Sequence, residues 1–143
     1  MASPNRSGKC ILIVEDKRLN MKLFSAMVAA QGYGVLQADD GLRGLDLARQ
    51  EHPDLIIMDV DLPGISGLEA TRLLKAAADT RDIPIIITTA YEYDDEMRAS
   101  GCDGYMSKPI GVADFVELID SLMAHNPQPR FVRRMIEDNI SAG

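Results

Sequence analysis

The chain alternates short apolar runs with longer stretches in which apolar residues recur every three or four positions. The strongest apolar runs are CILIV at 10–14, DLIIM at 54–58 and PIIIT at 84–88. Each run is rich in β-branched residues and too short for a helix, so each predicts a buried parallel strand. Two weaker runs, GVLQA at 34–38 and GYMS at 104–107, predict two further strands.

The stretches between these strands have the spacing of amphipathic helices. Phe115, Leu118, Ile119 and Leu122 recur at steps of three and four residues, which places them on one helical face. Strands that are apolar throughout and alternate with helices are typical of a parallel sheet covered on both faces. The sequence therefore predicts an α/β fold with a parallel sheet. The predicted helices cover 19–31, 41–51, 67–78, 94–99 and 112–125.

Composition and charge limit the classes of protein to which the chain can belong. Its 143 residues suffice for one ordinary domain, and a hydrophobic content of 46% predicts a globular chain. The net charge of -7 disfavours nucleic acid as a partner, because phosphates are neutralised by clustered Lys and Arg. Cys10 and Cys102 lack a CxxC spacing and predict buried, reduced thiols in a cytoplasmic protein. We expect neither export nor a membrane span, since no segment approaches the roughly 20 apolar residues that a span needs.

Polar side chains follow the predicted strands at the edge where a ligand site is expected. In open α/β sheets that site forms beyond the carboxyl ends of the strands. The residues at or just after the ends of the first, third, fourth and fifth predicted strands are, in chain order, Glu15 and Asp16, Asp59 and Asp61, Thr88 and Thr89, and Lys108. If the sheet assembles as predicted, carboxylates, a hydroxyl and an ammonium group converge at one edge.

Converging carboxylates need a compensating charge. Unit charges about 4 Å apart repel by roughly 4 kcal/mol at an effective dielectric constant of about 20. A proton or a divalent cation relieves this repulsion, and oxygen ligands without histidine suit Mg²⁺ better than Zn²⁺. An ionised aspartate beside such a metal can attack phosphorus, and Asp59 is placed for that reaction. Lys108 would then neutralise phosphoryl oxygens, Thr89 would hydrogen-bond one of them, and a cis bond before Pro109 would aim the lysine inward.

Each of these residues also has an ordinary structural interpretation. Acidic residues after a strand often form turns or cap the next helix, and DLPGISG at 61–67 is typical of a turn entering a helix. The functional interpretation depends on the conjunction of all four strand ends. One enzyme class is an alternative: an apolar strand followed by Asp59 and Asp61 also fits a phosphatase of the haloacid-dehalogenase type, with nucleophile and acid/base in that order.

Four segments together resemble the receiver domain of two-component response regulators across about residues 9–124: ILIVEDKRLN, PDLIIMDVDLPGISGLE, TTAY and GYMSKPI. LNMKLF, QGY, SGLEATR and SKPI are most similar to bacterial single-domain regulators of the DivK type. The resemblance implies a flavodoxin-like, doubly wound sheet of five strands in the order 2-1-3-4-5. It also implies a signalling protein that catalyses only its own phosphorylation and dephosphorylation.

The resemblance further implies roles in phosphoryl transfer and signalling. Asp59 corresponds to the phosphoacceptor, Thr89 to the switch hydroxyl, Lys108 to the phosphate-binding lysine, and Tyr105 to the aromatic residue that turns inward on activation. The phosphoryl donor would be a histidine kinase or a phosphotransfer protein. The downstream protein target would bind the face formed by the fourth helix, fifth strand and fifth helix, and the chain would be a monomer or weak dimer.

The resemblance assigns a Mg²⁺ site to the acidic residues, with two departures from the family pattern. Asp16 would bind the metal directly and Glu15 through water, while Asp59 and the backbone carbonyl of Asp61 complete the site. Asp61 adds a carboxylate where DivK-like proteins carry a neutral side chain, and Lys17 replaces an asparagine. Both departures bear on the lifetime of the phosphoryl group.

The predicted organisation is an N-terminal extension at 1–8, a receiver domain at 9–125 and a tail at 126–143. The stretch between Thr89 and Lys108 is shorter than is usual in the family. In the tail, apolar residues at four-residue steps lie beside three arginines, which is typical of a short amphipathic helix. That segment either docks on its own domain, frays, binds a partner or second copy, or lies on a membrane surface. A phosphorylation-independent adaptor is the remaining alternative for the whole chain.

Overall fold

The computed structural model describes residues 8–124, in which strands and helices alternate along the chain. The elements are β1 Cys10–Val14, α1 Arg18–Ala30, β2 Gly34–Ala38, α2 Gly41–Glu51, β3 Leu55–Asp59, α3 Gly67–Ala76, β4 Ile85–Thr89, α4 Asp95–Ala99, β5 Gly104–Ser107 and α5 Val112–Ala124. The predicted N-terminal extension, apart from Gly8, and the predicted tail lie outside the described residues.

Most predicted bounds agree with the structure, and two strands differ in a way that matters for the site. β3 and β4 each begin and end one residue later than predicted, so Asp59 and Thr89 are the last residues of their strands. Both polar residues complete the hydrogen-bonded ladder, which apolar runs alone do not reveal. α3 ends at Ala76 because Ala77 adopts an extended conformation. The Lys108–Pro109 peptide bond is cis, as predicted.

The strands form one parallel five-stranded sheet in the order β2-β1-β3-β4-β5, which confirms the implied fold. Alternate side chains of the central strands enter two separate apolar layers, since successive residues of a strand point to opposite faces. One layer includes Leu12, Met58 and Ile87 and packs against α2, α3 and α4. The other includes Ile13 and Ile57 and packs against α1 and α5.

A glycine at the start of α3 brings this helix against the end of β3. A Cβ atom on Gly67 would lie 1.9 Å from the backbone oxygen of Asp59, so only glycine fits without a shift of the backbone. The Gly67 amide also donates to the Val60 carbonyl at 3.0 Å. The turn DLPGISG therefore fixes the backbone of Asp59 at the sheet edge.

The described residues bear on two other expectations. Cys10 and Cys102 are free thiols, but both are half-buried and not fully buried as predicted. Burial, followed by the charges of Asp54 and Glu51, raises the pKa of the Cys10 thiol to about 11, which keeps it protonated. Among residues 8–124, no helix is long and apolar enough to cross a membrane.

Candidate functional site

Three carboxylates from two strand ends meet at the carboxyl edge of the sheet. One carboxylate oxygen from each of Glu15, Asp16 and Asp59 lies within 4.8 Å of the other two. Glu15 and Asp59 are 2% and 1% exposed, whereas Asp16 is exposed to solvent. The convergence predicted for these residues is therefore present. The Asp61 side chain, in contrast, is exposed and lies outside this cluster.

Lys108 joins the two buried carboxylates. Its Nζ lies 3.1 Å from Glu15 Oε1 and 3.1 Å from Asp59 Oδ1. The backbone amide of Lys108 donates to the Thr89 carbonyl at 2.7 Å, just beyond the end of β5. Pairing between β4 and β5 therefore carries the ammonium group into the cluster.

Glu15 has two further hydrogen-bond donors. Asn20 Nδ2 donates to Oε1 at 3.1 Å, and the backbone amide of Lys17 donates to Oε2 at 3.2 Å. Sequence reasoning missed Asn20; its position four residues before the buried Phe24, on the inner side of α1, was the available signal. The Lys17 side chain is exposed and forms no ion pair within 8–124.

One oxygen of Asp59 has no hydrogen-bond partner within residues 8–124. Its Oδ1 accepts from Lys108 and from the backbone amide of Asp61, the latter at 3.3 Å. Its Oδ2 is buried and has no hydrogen-bond partner among the described residues. Buried carboxylate oxygens are normally paired, so this atom marks a place where a ligand can bind.

The two threonines at the end of β4 differ in the hydrogen bonding of their hydroxyl groups. Thr89 is fully buried, and its Oγ1 accepts from the backbone amide of Tyr91 at 2.9 Å. Thr88 is the register partner of Asp59, and its Oγ1 is buried without a partner in the described part of the chain. Register partners on parallel strands point to the same face, so Thr88, which the sequence placed at this edge without a role, adds a hydroxyl beside Asp59.

Tyr105 lies on β5 and its side chain faces solvent. Its side chain is 45% exposed and stacks on Tyr93, with ring centroids 4.5 Å apart. The Arg98 guanidinium lies 6.0 Å from the centroid of the Tyr93 ring. The structure therefore places Tyr105 in an outward, stacked position.

The buried charges shift one another's protonation. The pKa of Asp59 is raised to about 6, first by burial and then by the adjacent Glu15 carboxylate, against the opposing effect of Lys108. For Glu15, burial acts to raise the pKa, but the adjacent Asp59 carboxyl group and the hydrogen bonds from the Lys17 amide and Lys108 outweigh it, so the pKa is lowered. Burial would lower the pKa of Lys108, yet the charge of Asp59 and bonds to both carboxylates raise it.

The donor set fits a hard divalent cation. Glu15, Asp16 and Asp59 supply only carboxylate oxygens, which suits Mg²⁺. The unpartnered Asp59 Oδ2 is available as a ligand, and a cation would hold both Asp59 and Glu15 in the ionised form.

Comparison with known proteins decides the family. The response regulator receiver domain family matches residues 11–120. The chain belongs to this family. Receiver domains act in two-component signalling and typically bind Mg²⁺ at an acidic site, and the cluster here has the composition of such a site. The chain is thus a receiver signalling protein. Membership of this family implies that its partners include a histidine kinase or a phosphotransfer protein.

Characterised relatives of this receiver are DivK proteins. The polar-differentiation response regulator DivK of Brucella ovis is 48% identical over 118 residues, which cover 80% of this chain and 96% of the relative. DivK of Brucella anthropi is 47% identical over 118 residues, with the same coverage. The DivK-like character inferred from SGLEATR and SKPI is therefore confirmed.

Solved receiver structures share the fold. The receiver domain of a sensor histidine kinase from Pseudomonas aeruginosa, with a magnesium ion coordinated in its active-site cleft, aligns with a TM-score of 0.76 and 31% identity. That alignment covers 82% of this chain and 98% of the other. The chemotaxis response regulator CheY4 of Vibrio cholerae aligns with a TM-score of 0.76 and 25% identity, over 80% of this chain and 98% of the other.

Proposed function

We propose that the protein is a single-domain, DivK-like response regulator that accepts a phosphoryl group on Asp59. The donor is a histidine kinase or a phosphotransfer protein of a cytoplasmic phosphorelay. The single observation that carries this proposal is the Oδ2 of Asp59, which is buried, has no partner among residues 8–124, and lies beside two other carboxylates and the Lys108 ammonium. An anionic oxygen with no partner is available for attack on phosphorus, while its neighbours supply the compensating charge.

Mg²⁺ is the proposed cofactor, held by the acidic cluster. Asp16 and Asp59 would bind it directly, Glu15 through water, and Asp61 through its backbone carbonyl. The exposed side chain of Asp61 is compatible with a role through the backbone. When bound, the cation supplies positive charge to the phosphoryl oxygens.

Lys108 and Thr89 are proposed to bind the transferred group. Lys108 Nζ already lies 3.1 Å from Asp59 Oδ1, so a phosphoryl group on Asp59 would lie within its reach. The Thr89 hydroxyl accepts from the Tyr91 amide, which leaves its O–H proton free to donate to a phosphoryl oxygen. Tyr105, now exposed and stacked on Tyr93, is the proposed switch residue that turns inward when Thr89 moves.

The output is a phosphorylation-dependent change in protein binding. The phosphoryl group adds charge and acceptor oxygens that favour one of two arrangements of Thr89 and Tyr105. The proposed target surface consists of α4, β5 and α5, on which Tyr105 lies. Because α4 has only five residues, the target surface is compact there. We propose a monomer or weak dimer.

Mg²⁺-dependent labelling by a small phosphodonor tests the phosphoacceptor assignment. We expect wild-type protein to be labelled only with Mg²⁺ present and Asp59→Asn to take up no label. Asp82→Asn, which changes an exposed carboxylate outside the acidic cluster, is the matched control and should keep its label. Equal labelling of Asp59→Asn would exclude Asp59 as the acceptor.

The same experiment separates the alternatives. A phosphorylation-independent adaptor would neither take up label nor bind Mg²⁺. The match to the receiver family disfavours a phosphatase of the haloacid-dehalogenase type. Sustained hydrolysis of an external phosphomonoester that is lost in Asp61→Asn would instead support this phosphatase.

A further inference from the structure

A groove of about 540 Å³ lies between the edge strand β5 and the outer side of α5. Its lining includes Tyr105, Pro109, Ile110, Asp114, Glu117 and Leu118. Among the described strands, β5 pairs with β4 alone, so its other side is an open edge of this sheet. Open edges and apolar grooves favour the addition of another chain segment.

The charged side chains that line this groove are all acidic. Asp114 and Glu117 are exposed on the α5 side, and neither forms an ion pair with another residue in the range 8–124. The lining contains no Lys or Arg. Leu118 and Ile110 supply apolar surface next to these carboxylates. A segment that fits the groove must therefore combine apolar side chains with positive charge.

The chain itself contains such a segment directly after α5. NPQPRFVRRMIEDNISAG, at 126–143, combines Phe131 and Met135 with Arg130, Arg133 and Arg134, and its first acidic residue is Glu137. We propose that the segment 126–136 is the occupant of the groove, with its arginines facing Asp114 and Glu117 and its apolar side chains on Leu118 and Ile110. The tail then covers part of the proposed target surface from within the same chain.

Chain length permits this contact. Leu118 lies six residues before Ala124 on α5, about 9 Å along the helix axis at a rise of about 1.5 Å per residue. Phe131 lies seven residues after Ala124 and can reach up to about 23 Å from it at about 3.3 Å per extended residue. The segment therefore has enough length to reverse direction and reach both acidic residues.

Covalent linkage favours this occupant over a separate peptide of the same chemistry. A tethered segment meets its groove at an effective concentration in the millimolar range, so modest ion pairs suffice to keep it bound. The contact does not depend on phosphorylation of Asp59. Any target that binds the β5–α5 surface must first displace the tail.

Reciprocal charge reversal in the full-length chain tests the contact. Arg133→Glu/Arg134→Glu reverses the tail, Asp114→Lys/Glu117→Lys reverses the groove, and a fourfold variant restores opposite charges. The readout is amide hydrogen exchange and chemical shift at groove residues such as Ile110, measured by NMR. We expect either single reversal to accelerate exchange there by about threefold to tenfold, and the fourfold variant to recover most of the protection.

Controls keep the outcome decisive. Lys22→Glu/Arg49→Glu makes the same charge change at exposed positions outside the groove and should leave the groove amides unchanged. Unchanged exchange at Ile13, in the core of β1, shows that each variant is folded. Unchanged hydrogen exchange of the groove amides in Arg133→Glu/Arg134→Glu would overturn the proposal. Protection lost on tenfold dilution would overturn it too, by assigning the groove to a second copy of the chain.

Discussion

Aspartates lie at both the amino and the carboxyl ends of the parallel strands, which we call the amino edge and the carboxyl edge, but they have different roles at the two ends. At the amino edge, Asp54 Oδ2 accepts from the Cys10 amide at 2.8 Å, and Asp103 Oδ2 accepts from the Ile85 amide at 2.8 Å and pairs with Lys75. At the carboxyl edge, Asp59 keeps a buried oxygen without a partner in the described part of the chain. A carboxylate that accepts a hydrogen bond from the backbone of a neighbouring strand stabilises the sheet. A carboxylate oxygen without such a bond can bind a metal ion or react with a phosphoryl group.

The largest expected effect concerns the carboxyl edge. Lys108→Met removes the ammonium group that pairs with both Glu15 and Asp59. It should lower the free energy of unfolding of the metal-free protein by about 2–3 kcal/mol. Urea unfolding with and without Mg²⁺ measures this, and saturating Mg²⁺ should recover part of the loss. An equal loss in both conditions would contradict a cation site between these carboxylates.

At the amino edge, the expected effect is slightly smaller and independent of metal. Asp54→Ala leaves the Cys10 amide without its acceptor and should lower the free energy of unfolding by about 2 kcal/mol. Asp82→Ala, at an exposed position, is the control and should change little. If Asp54→Ala also weakened Mg²⁺ binding in a calorimetric titration, the distinction between the two edges would fail.

The pH dependence of stability comes third. The folded protein holds a proton on Asp59 with a pKa of about 6, against an ordinary value of 3.8, so stability is lost as pH rises through about 6. Between about pH 5 and about pH 7.5, the metal-free protein should lose about 1–2 kcal/mol in urea unfolding. The lowered pKa of Glu15 acts below 4.5 and the raised pKa of Lys108 above 10.5, so neither titrates in this window.

Asp59→Asn provides the matched variant for that measurement. It removes the titrating group, so its stability should be flat over the same pH window and exceed that of the wild type at the upper end. A wild-type profile that is equally flat would show that Asp59 is ionised in the folded protein without a pKa shift.

The smallest expected effect tests the residue that the sequence did not reveal. Asn20→Ala removes one donor to Glu15 Oε1 while Lys108 and the Lys17 amide remain, so the free energy of unfolding should fall by no more than about 1 kcal/mol. Asn20→Asp, which places a further carboxylate beside Glu15, should cost more without Mg²⁺ than with it. Thermal unfolding with and without Mg²⁺ distinguishes the two substitutions.

Much of the fold could be predicted because the three central strands are apolar on both faces and alternate with amphipathic helices. CILIV, GVLQA and GYMS lie at the predicted bounds of β1, β2 and β5. The ends of β3 and β4 were predicted one residue early because Asp59 and Thr89 are polar, yet their backbones complete the ladder. The strand order rested on family resemblance, since apolar runs do not encode which strands are neighbours.

The sequence by itself determined which chemical groups reach the carboxyl edge, because each follows a strand whose direction is common to the sheet. Only the tertiary structure decided how those groups are engaged. It pairs Lys108 with Glu15 and Asp59, adds Asn20, leaves Asp61 in solvent and leaves Asp59 Oδ2 without a partner within 8–124. The physical reason is that hydrogen bonding and burial depend on contacts between residues far apart in the chain, to which local periodicity is blind.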